Sequence, residues 1–418
     1  MLTYRSGFKA ALLLICWLGA DAAGQGNSAA PFVRPAPVTM SELKSMRTAG
    51  VSVAEVSDYV FGNYRGEFTS PHHADVNPKK AFVIYWKDFP YRFVFSHEAS
   101  YCPWFELPSG AALSYQFFEG NDGWAELFND YGRKERNSFV EVIEPGPRRV
   151  WVRWTYFGVN MGSGAAAFRG TEDFWAFPNG LVLRRQSYES LMPGDNHGYA
   201  REPIETIAMA PVGKLWFDVL AREPSTGESR AFVGLDAFSG ARDDIFWKPQ
   251  PKPNKPYTST SRRTGAPWKV LDDARGFAGV IPFRDGSPFF VIGDASGFPH
   301  ETTRLKEHSD KSTGGWGWRS LSWDHWPVGW INSQSHDVDD ESYKKYPSHF
   351  SPFGLDLWSM PNEATERRDF YSLMGVGGDD MEAVRRLARD WLEDGPRGAT
   401  DPARAASLRP PRDAPRGR

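Results

Sequence analysis

The sequence offers four candidate residues for anion binding or proton transfer: Arg153, Tyr156, His97 and His325. A guanidinium fixed on a strand either covers an aromatic ring or binds an anion, a carboxylate through two parallel N–H bonds. Histidine and tyrosine act as general acids or bases when their surroundings bring the pKa close to the working pH. His325 follows Asp324 among tryptophans and glycines, so it is either such a group or a histidine satisfied in the core.

Arg153 and Tyr156 lie three residues apart in a segment that alternates with the period of a β-strand, Arg149–Phe157. One face of this strand carries Val150, Val152, Trp154 and Tyr156, and the other carries Trp151, Arg153 and Thr155. The two candidate residues therefore face opposite ways. They reach one site only if a bulge intervenes or if one of them acts from the strand end.

The rest of the chain is rich in short alternating segments separated by Gly and Pro, and Pro178-Asn179-Gly180 is a strong hairpin signal. The predicted strands are Ala81–Trp86, Arg92–Ser96, Ala111–Phe117, Ser138–Glu144, Arg149–Phe157, Glu172–Phe177, Leu181–Gln186, Ile204–Pro211, Arg230–Phe238, Gly279–Arg284 and Pro288–Gly293. Such a series predicts an all-β protein.

Few segments have a helical pattern. Capping boxes at Thr39–Glu42 and Ser52–Glu55 predict two short helices near the N-terminus, in a leader spanning residues 24–80. Asp380–Asp394 has an amphipathic pattern and ends at Gly395, which predicts one C-terminal helix. The Arg-, Ala- and Pro-rich residues 396–418 are predicted to be disordered.

The first 23 residues have the pattern of a secretory signal peptide. Arg5 and Lys9 precede the short apolar run Ala10–Leu18, and Ala20-Asp21-Ala22 is a cleavage-site pattern. The sequence thus predicts a secreted or periplasmic protein that has no membrane segment after signal removal. Cleavage would leave Cys102 as the single cysteine, which excludes an internal disulfide and a cysteine-based metal site.

The composition indicates which classes of binding partner suit the protein. A net charge of -3 and a pI of about 6.3 give no electrostatic footprint for nucleic acid. The 17 tryptophans either fill a large core or stack on sugar rings. The candidate substrate-binding residues are Trp104, Trp124, Glu126, Asn129, Arg133, Trp326 and Asn332, and four of these belong to the loop-like run W-A-E-L-F-N-D-Y-G-R.

Three further segments have two interpretations each. His72-His73-Ala74-Asp75 is either a metal-binding cluster or a loop with diverging side chains. Lys248–Trp268, rich in Pro and Lys, is either a solvated loop or a cationic lid suited to an anionic substrate. Glu172 and Asp173 supply carboxylates for a hydrolase only with a partner elsewhere, such as Glu106 or Glu205, because neighbours on a strand face opposite ways.

Several blocks resemble secreted polysaccharide lyase-like proteins of the ulvan-lyase-related group. These blocks are F-S-H-E-A-S-Y-C-P-W-F-E-L-P-S-G, Y-Q-F-F-E, R-W-T-Y and W-D-H-W-P-V-G-W-I-N, within residues 80–340. The resemblance implies a large antiparallel β super-sandwich of the mutarotase-like kind, here residues 81–395, with substrate across a concave sheet. Arg153, Thr155 and Asp324 stand where the group often carries His, Arg and Asn, so a carbohydrate role is better supported than lyase chemistry.

The reaction implied by the resemblance is β-elimination at a uronic acid of an acidic polysaccharide or oligosaccharide. It requires a group that neutralises the substrate carboxylate, a base for the C5 proton and an acid for the leaving oxygen. Arg153 or Arg133 would neutralise, Tyr156 would serve as base or acid, and His325 or His97 would serve as base. A glycoside hydrolase or epimerase on the same fold, and a non-catalytic carbohydrate-binding protein, stay open as alternatives.

No cofactor is expected from the sequence, and no metal ligand is assigned. A structural calcium ion stays open by analogy with lyases. The chain has no Asp-rich loop of the D-x-D-x-D-G type that would hold one.

Overall fold

The computed structural model describes residues 36–61, 80–115, 119–120, 125–126, 138–160, 166–191, 201–214, 216–247, 259–261, 276–284, 288–294, 303–306, 344, 348–357, 368–377, 380–395 and 400–411. Within these ranges the strands are β1 Val51–Val56, β2 Ala81–Trp86, β3 Arg92–Ser96, β4 Pro103–Glu106, β5 Ala112–Tyr115, β6 Glu119–Gly120, β7 Ala125–Glu126, β8 Ser138–Pro145, β9 Val150–Asn160, β10 Ala166–Ala176, β11 Val182–Ser190, β12 Arg201–Ala210, β13 Ser229–Asp236, β14 Arg242–Trp247, β15 Ser259–Ser261, β16 Phe277–Ile281, β17 Phe289–Asp294, β18 Thr303–Lys306, β19 Ser348–Leu357 and β20 Arg368–Val376. The helices are α1 Met40–Ser45, α2 Trp216–Val219, α3 Met381–Asp394 and α4 Pro402–Ser407.

The strands pair antiparallel in two series. The first sheet runs β1-β2-β3-β4-β5-β12-β19-β18. The second runs β8-β9-β10-β11-β20-β17-β16-β13-β14-β15. The short strands β6 and β7 connect β12 of the first sheet to β9 of the second. The predicted all-β antiparallel fold is confirmed.

The two sheets pack face to face over an aromatic core. Phe174 of the second sheet contacts Phe93 and Phe95 of the first, with ring centroids 5.6 and 5.2 Å apart. Phe105 and Phe289 make a similar contact at 5.9 Å. Aromatic pairs across two inner faces are the usual filling of a sandwich, and each adds to the free energy gained by burying the rings.

The outer face of the second sheet is covered in part by α3. Asp380 caps this helix through its side chain, which accepts from the Ala383 amide, and Gly395 follows its end as predicted. Val384, Leu387, Ala388 and Trp391 are buried in the same cluster as Leu183 and Leu373 of the sheet. No helix in the described ranges is long and apolar enough to cross a membrane.

Two sequence predictions are wrong. Ser52–Glu55 is part of strand β1 instead of a helix, because Val51–Val56 pairs residue by residue with Trp86–Ala81 and the sheet satisfies its backbone. The four-residue capping pattern alone does not outweigh that pairing. The segment 51–56 therefore belongs to the sheet and not to a helical leader.

The second correction concerns the tail, which was predicted to be disordered. Pro402–Ser407 forms α4, with Ala405 and Leu408 buried. The Asn179 amide donates to the carbonyls of Ala405 and Leu408, at 2.9 and 3.2 Å. The hairpin turn at Asn179 thus anchors a segment whose composition gave no sign of order.

Candidate functional site

A cavity of about 610 Å³ opens between α1 and the turn that joins β2 to β3. We call it the α1 cavity. Its lining consists of Met40, Leu43, Lys44, Met46, Arg47, Thr48, Asp58, Val60, Tyr85, Trp86, Lys87, Phe89, Pro90, Tyr91, Arg92, Glu106, Pro108, Ser109 and Gly110. Ligand pockets in proteins have volumes of about 300–1,000 Å³, so this cavity has room for a small molecule or part of a polymer.

Helix α1 is fixed at the cavity by its first turn. Thr39 and Glu42 form the predicted capping box, in which the Glu42 amide donates to Thr39 Oγ1 at 3.2 Å and the Thr39 amide donates to Glu42 Oε2 at 2.6 Å. The Met40 amide donates to Asp58 Oδ1 at 2.6 Å. These bonds, together with the burial of Leu43, hold the C-terminal end of the helix and its basic residues beside the cavity.

Glu106, which is 5% exposed, is the buried carboxylate of the cavity lining; the other carboxylate of the lining, Asp58, is exposed. Oε2 accepts from the Tyr59 hydroxyl at 2.6 Å, and Oε1 accepts from Arg92 Nη2 at 2.9 Å. Tyr59 in turn accepts from the Trp104 indole nitrogen at 3.0 Å. The result is a buried chain of hydrogen bonds, Trp104 to Tyr59 to Glu106, beside an ion pair with Arg92.

Burial raises the pKa of two groups in this series of hydrogen bonds, Glu106 and Tyr59. Desolvation raises the pKa of Glu106 above its ordinary value of 4.5, against the opposing effects of Arg92 and Tyr59. Desolvation, with the adjacent Glu106 carboxylate, raises the pKa of Tyr59 well above its ordinary value. Tyr59 therefore stays protonated and donates, while Glu106 has the kind of raised pKa that is typical of carboxyl groups in proton transfer.

Positive charge dominates the cavity lining. Four cationic residues and two carboxylates line it. Arg92 is paired with Glu106, whereas Lys44 and Lys87, both exposed, form no ion pair within 4 Å with a described residue, and Lys44 acts on Glu106 only through its charge at longer range. Arg47 is exposed as well. An anionic ligand is thus electrostatically favoured at the mouth of the cavity.

Aromatic rings form one wall. Phe89 stacks on Tyr91 with centroids 5.1 Å apart, and Tyr91 packs against Trp86 at 5.3 Å. Tyr85 and Phe89 remain partly exposed. Such faces suit the packing of sugar C–H groups as well as ordinary side chains.

Replacing Tyr59 by phenylalanine is expected to lower the free energy of unfolding by about 1.5–3 kcal/mol, because a buried hydrogen bond to a charged group is lost. The same change leaves the Trp104 indole without its acceptor. Chemical denaturation with guanidinium would measure the loss. A change below about 0.5 kcal/mol would contradict the described network, and Tyr85→Phe, on the cavity wall, is the matched control.

The predicted catalytic residue Arg153 lies on the outer face of the second sheet. Its Nε donates to Asp173 Oδ1 at 2.9 Å, and its guanidinium lies over the Trp151 ring at 5.5 Å. Arg185 also pairs with Asp173 and stacks over Trp175. The expected alternation of faces is confirmed, and both interpretations of Arg153 are realised: it covers an indole and it binds a carboxylate, here that of Asp173.

Tyr156 lies on the inner face of the same sheet and is fully buried. Its hydroxyl donates to Glu172 Oε1 at 2.7 Å, and Glu172 Oε2 accepts from Arg184 Nε at 2.7 Å. Gln186 Nε2 donates to Glu172 Oε1 at 3.3 Å. Tyr156 thus belongs to a buried ion-pair cluster between the sheets, and its role as base or acid stays a prediction.

Two more predicted residues are described. Trp104 is buried in the core, where it packs against Tyr59 and Phe61, and it cannot offer a stacking face to a sugar in this arrangement. It bears on the α1 cavity only through its bond to Tyr59. His97 is half-buried in a 3₁₀ turn and packs edge-on against Tyr101, with centroids 5.4 Å apart. Its role as a base stays a prediction.

The remaining predicted residues lie outside the described ranges. They are Trp124, Asn129, Arg133, His325, Trp326 and Asn332, together with the His72–Asp75 segment and most of Lys248–Trp268. Glu126 belongs to β7, but its side chain is not among those described. No group of three metal-ligating side chains occurs among the residues that the structure does describe.

Sequence reasoning missed Tyr59, Arg92 and the basic mouth of the α1 cavity. Glu106 was named only as a distant partner for another carboxylate. A signal was present only for Arg92, which begins the predicted strand Arg92–Ser96 and carries a charge that is unusual there; the strand that carries Glu106, β4, was not predicted. Tyr59 follows β1 and is 47 residues from Glu106, and the pairing of β1 with β2 in the first sheet brings the two residues together.

The similarity of the chain to known proteins is low. No protein-family model and no curated protein matches the chain. Among solved structures, the heparan sulfate lyase HepC from Pedobacter heparinus is 7% identical with a TM-score of 0.29, and the match covers 71% of this chain and 33% of that one. A mutant of the same lyase has a TM-score of 0.26. The galactose 1-epimerase from Lactobacillus acidophilus NCFM is 7% identical with a TM-score of 0.34, covering 78% of this chain and 98% of the epimerase. The chain thus spans about a third of the lyase's length, and these values assign it to no family.

Proposed function

We propose that this protein binds an acidic glycan at the α1 cavity and cleaves it by β-elimination at a uronic acid, as a polysaccharide lyase. One observation supports this above the others. The cavity combines a cationic mouth with a buried carboxyl group whose pKa is raised. The first feature suits a uronate, and the second suits proton transfer.

Recognition would rest on Lys44, Arg47 and Lys87. A carboxylate at the mouth would accept charge-assisted hydrogen bonds from these side chains. Neutralising the carboxylate makes the adjacent C5–H more acidic, because the negative charge that develops at that carbon is stabilised. Arg153, by contrast, lies on the second sheet, where it is paired with Asp173 of the neighbouring strand, so we do not assign this role to it.

Proton transfer would rest on Glu106. As a carboxylate it would accept the C5 proton, the C–H electron pair would form the C4–C5 double bond, and the C4–O bond would break. The same carboxyl group could then pass the proton to the leaving oxygen. Tyr59 and Arg92 position the two oxygens, which limits the basicity of Glu106 but fixes its orientation.

We propose further that the protein acts outside the cytoplasm. The signal-peptide pattern in residues 1–23 supports this placement, and an extracellular or periplasmic glycan would be accessible there. A non-catalytic binding protein is the second candidate, because both oxygens of Glu106 already accept strong hydrogen bonds.

The test is an ultraviolet absorbance screen of the purified protein against uronic-acid polysaccharides. Unsaturated products are expected for one of them, and Lys44→Gln and Lys87→Gln should each reduce kcat/KM about tenfold, since one charge-assisted bond is lost. Arg386→Gln, an exposed cation on α3, is the control and should change nothing.

Other outcomes separate the alternatives. New reducing ends without absorbance would indicate a hydrolase. Retention on an acidic glycan with no product would indicate a binding protein. Absence of both, or activity that is insensitive to the two lysines, would refute the proposal.

A further inference from the structure

The α1 cavity has one wall that a bare sugar does not explain. Met40 and Leu43 of α1 and Met46, which directly follows the helix, line it together with Val60. Met46 is 38% exposed and Leu43 is 4% exposed, so the accessible apolar surface of this wall is contributed mainly by Met46. Exposed apolar surface grouped within a pocket is typical of ligand contact.

A polyhydroxylated ring fits this wall poorly. Each hydroxyl that lies against methionine or leucine side chains would lose its water partners and gain none. A methyl group at the same position loses nothing and releases water from the apolar surface. Methionine suits such a contact because its unbranched, polarizable side chain adapts to the shape of the ligand.

On these grounds, and resting on the proposed function, we propose that the α1 cavity takes an acidic sugar that carries an acyl group, with acetyl the simplest case. The acyl methyl lies against Met46 and Met40, and the sugar carboxylate lies at Lys44, Arg47 or Lys87. Met46 and the partly exposed Met40 are thereby specificity-determining residues, distinct from the cations that bind every acidic form.

The spacing of the residues restricts where the acyl group can be. Lys44, Met46 and Arg47 lie within four consecutive positions, and successive Cα atoms are 3.8 Å apart. The anionic and apolar contacts are therefore close neighbours at the end of α1. The acyl group and the carboxylate must belong to the same sugar or to adjacent sugars of the chain.

The experiment compares matched glycans on the purified protein. Polygalacturonate, alginate and glucuronic-acid-bearing xylan are each prepared in acetylated and de-acetylated form, and dissociation constants are measured by calorimetry in the Glu106→Gln background, in which cleavage is expected to be at least about 10²-fold slower. We expect the acetylated form to bind at least about fourfold more tightly, the gain from burying one methyl group. Met46→Gln should abolish that preference, so that the two forms bind with equal affinity.

Two controls separate this inference from the proposed function. Lys87→Gln should weaken both forms by the same factor. Phe139→Gln, at another exposed apolar side chain on β8, should change neither. Binding of both forms with equal affinity, or a preference that survives Met46→Gln, would overturn the acyl inference while the acidic-glycan proposal stands. Failure of every glycan in both forms would instead overturn the acidic-glycan proposal and, with it, the acyl inference.

Discussion

Replacing Arg184 by methionine is expected to lower the free energy of unfolding by about 3–5 kcal/mol, the cost of leaving one member of a buried ion pair without its partner. Arg184 and Glu172 both have fully buried side chains, and they are joined at 2.7 Å between the sheets. Once the guanidinium is gone, the Glu172 carboxylate keeps only the Tyr156 hydroxyl and the Gln186 amide as described donors. Equilibrium denaturation would measure the loss.

The matched control lies on the same sheet. Arg169 and Glu189 form an ion pair whose side chains are 46% and 43% exposed, so Arg169→Met should change stability by about 1 kcal/mol or less. The double variant Arg184→Met with Glu172→Gln removes both buried charges and should recover part of the loss. A single and a double variant with equal losses would show that the charge on Glu172 is not the cause.

This cluster shows what the sequence could and could not predict. The period of two assigned Trp154 and Tyr156 to one face of β9 and Arg153 to the other, and the structure confirms both. The bounds predicted for β2 and β3 are also those of the structure. Alternation is a local property of the chain, so it can be derived without knowledge of partners.

The partners themselves could not be predicted. Glu172 and Asp173 are adjacent, yet one pairs with Arg184 inside the sandwich and the other with Arg153 outside. Those pairings follow from the register of β9, β10 and β11, which short hydrophobic patterns do not specify uniquely. For the same reason the bond between the Tyr156 hydroxyl and Glu172 inside the sandwich could not be predicted from the sequence.

The α1 cavity depends still more on long-range packing. Tyr59 and Glu106 come from segments on either side of residues that the structure does not describe, and neither stands in a recognisable motif. The capping-box pattern at Ser52–Glu55 wrongly predicted a helix, because four residues of sequence do not reveal that this segment pairs with β2. Sites of this kind are formed by topology, and only charges placed oddly on strands, such as Arg92, hint at them.

Replacing Glu106 by glutamine is expected to reduce kcat by about 10²–10⁴-fold, the usual contribution of a positioned general acid or base. Glutamine retains the shape of the side chain and can accept from Tyr59, so the fold should persist. Initial rates from the absorbance assay would measure the effect. Asp58→Asn, at the other carboxyl group of the cavity, is the control and should reduce the rate far less, since Asp58 accepts from the Met40 amide and holds α1.

The dependence on pH gives the same group a second, independent test. Burial raises the pKa of Glu106 above 4.5, and the base must be ionised, so kcat/KM should rise with pH through that raised pKa. The effect on stability has the opposite sign. A carboxyl group whose pKa is raised on folding binds its proton more tightly in the native state, so its contribution to stability is fully present below its unfolded pKa and is lost as the pH rises through the folded pKa. Relative to Glu106→Gln, the wild-type protein should therefore lose stability over the pH range in which it gains activity. Parallel curves for the two proteins would exclude Glu106 as the titrating base, because a group that does not change its protonation in this range cannot produce either effect.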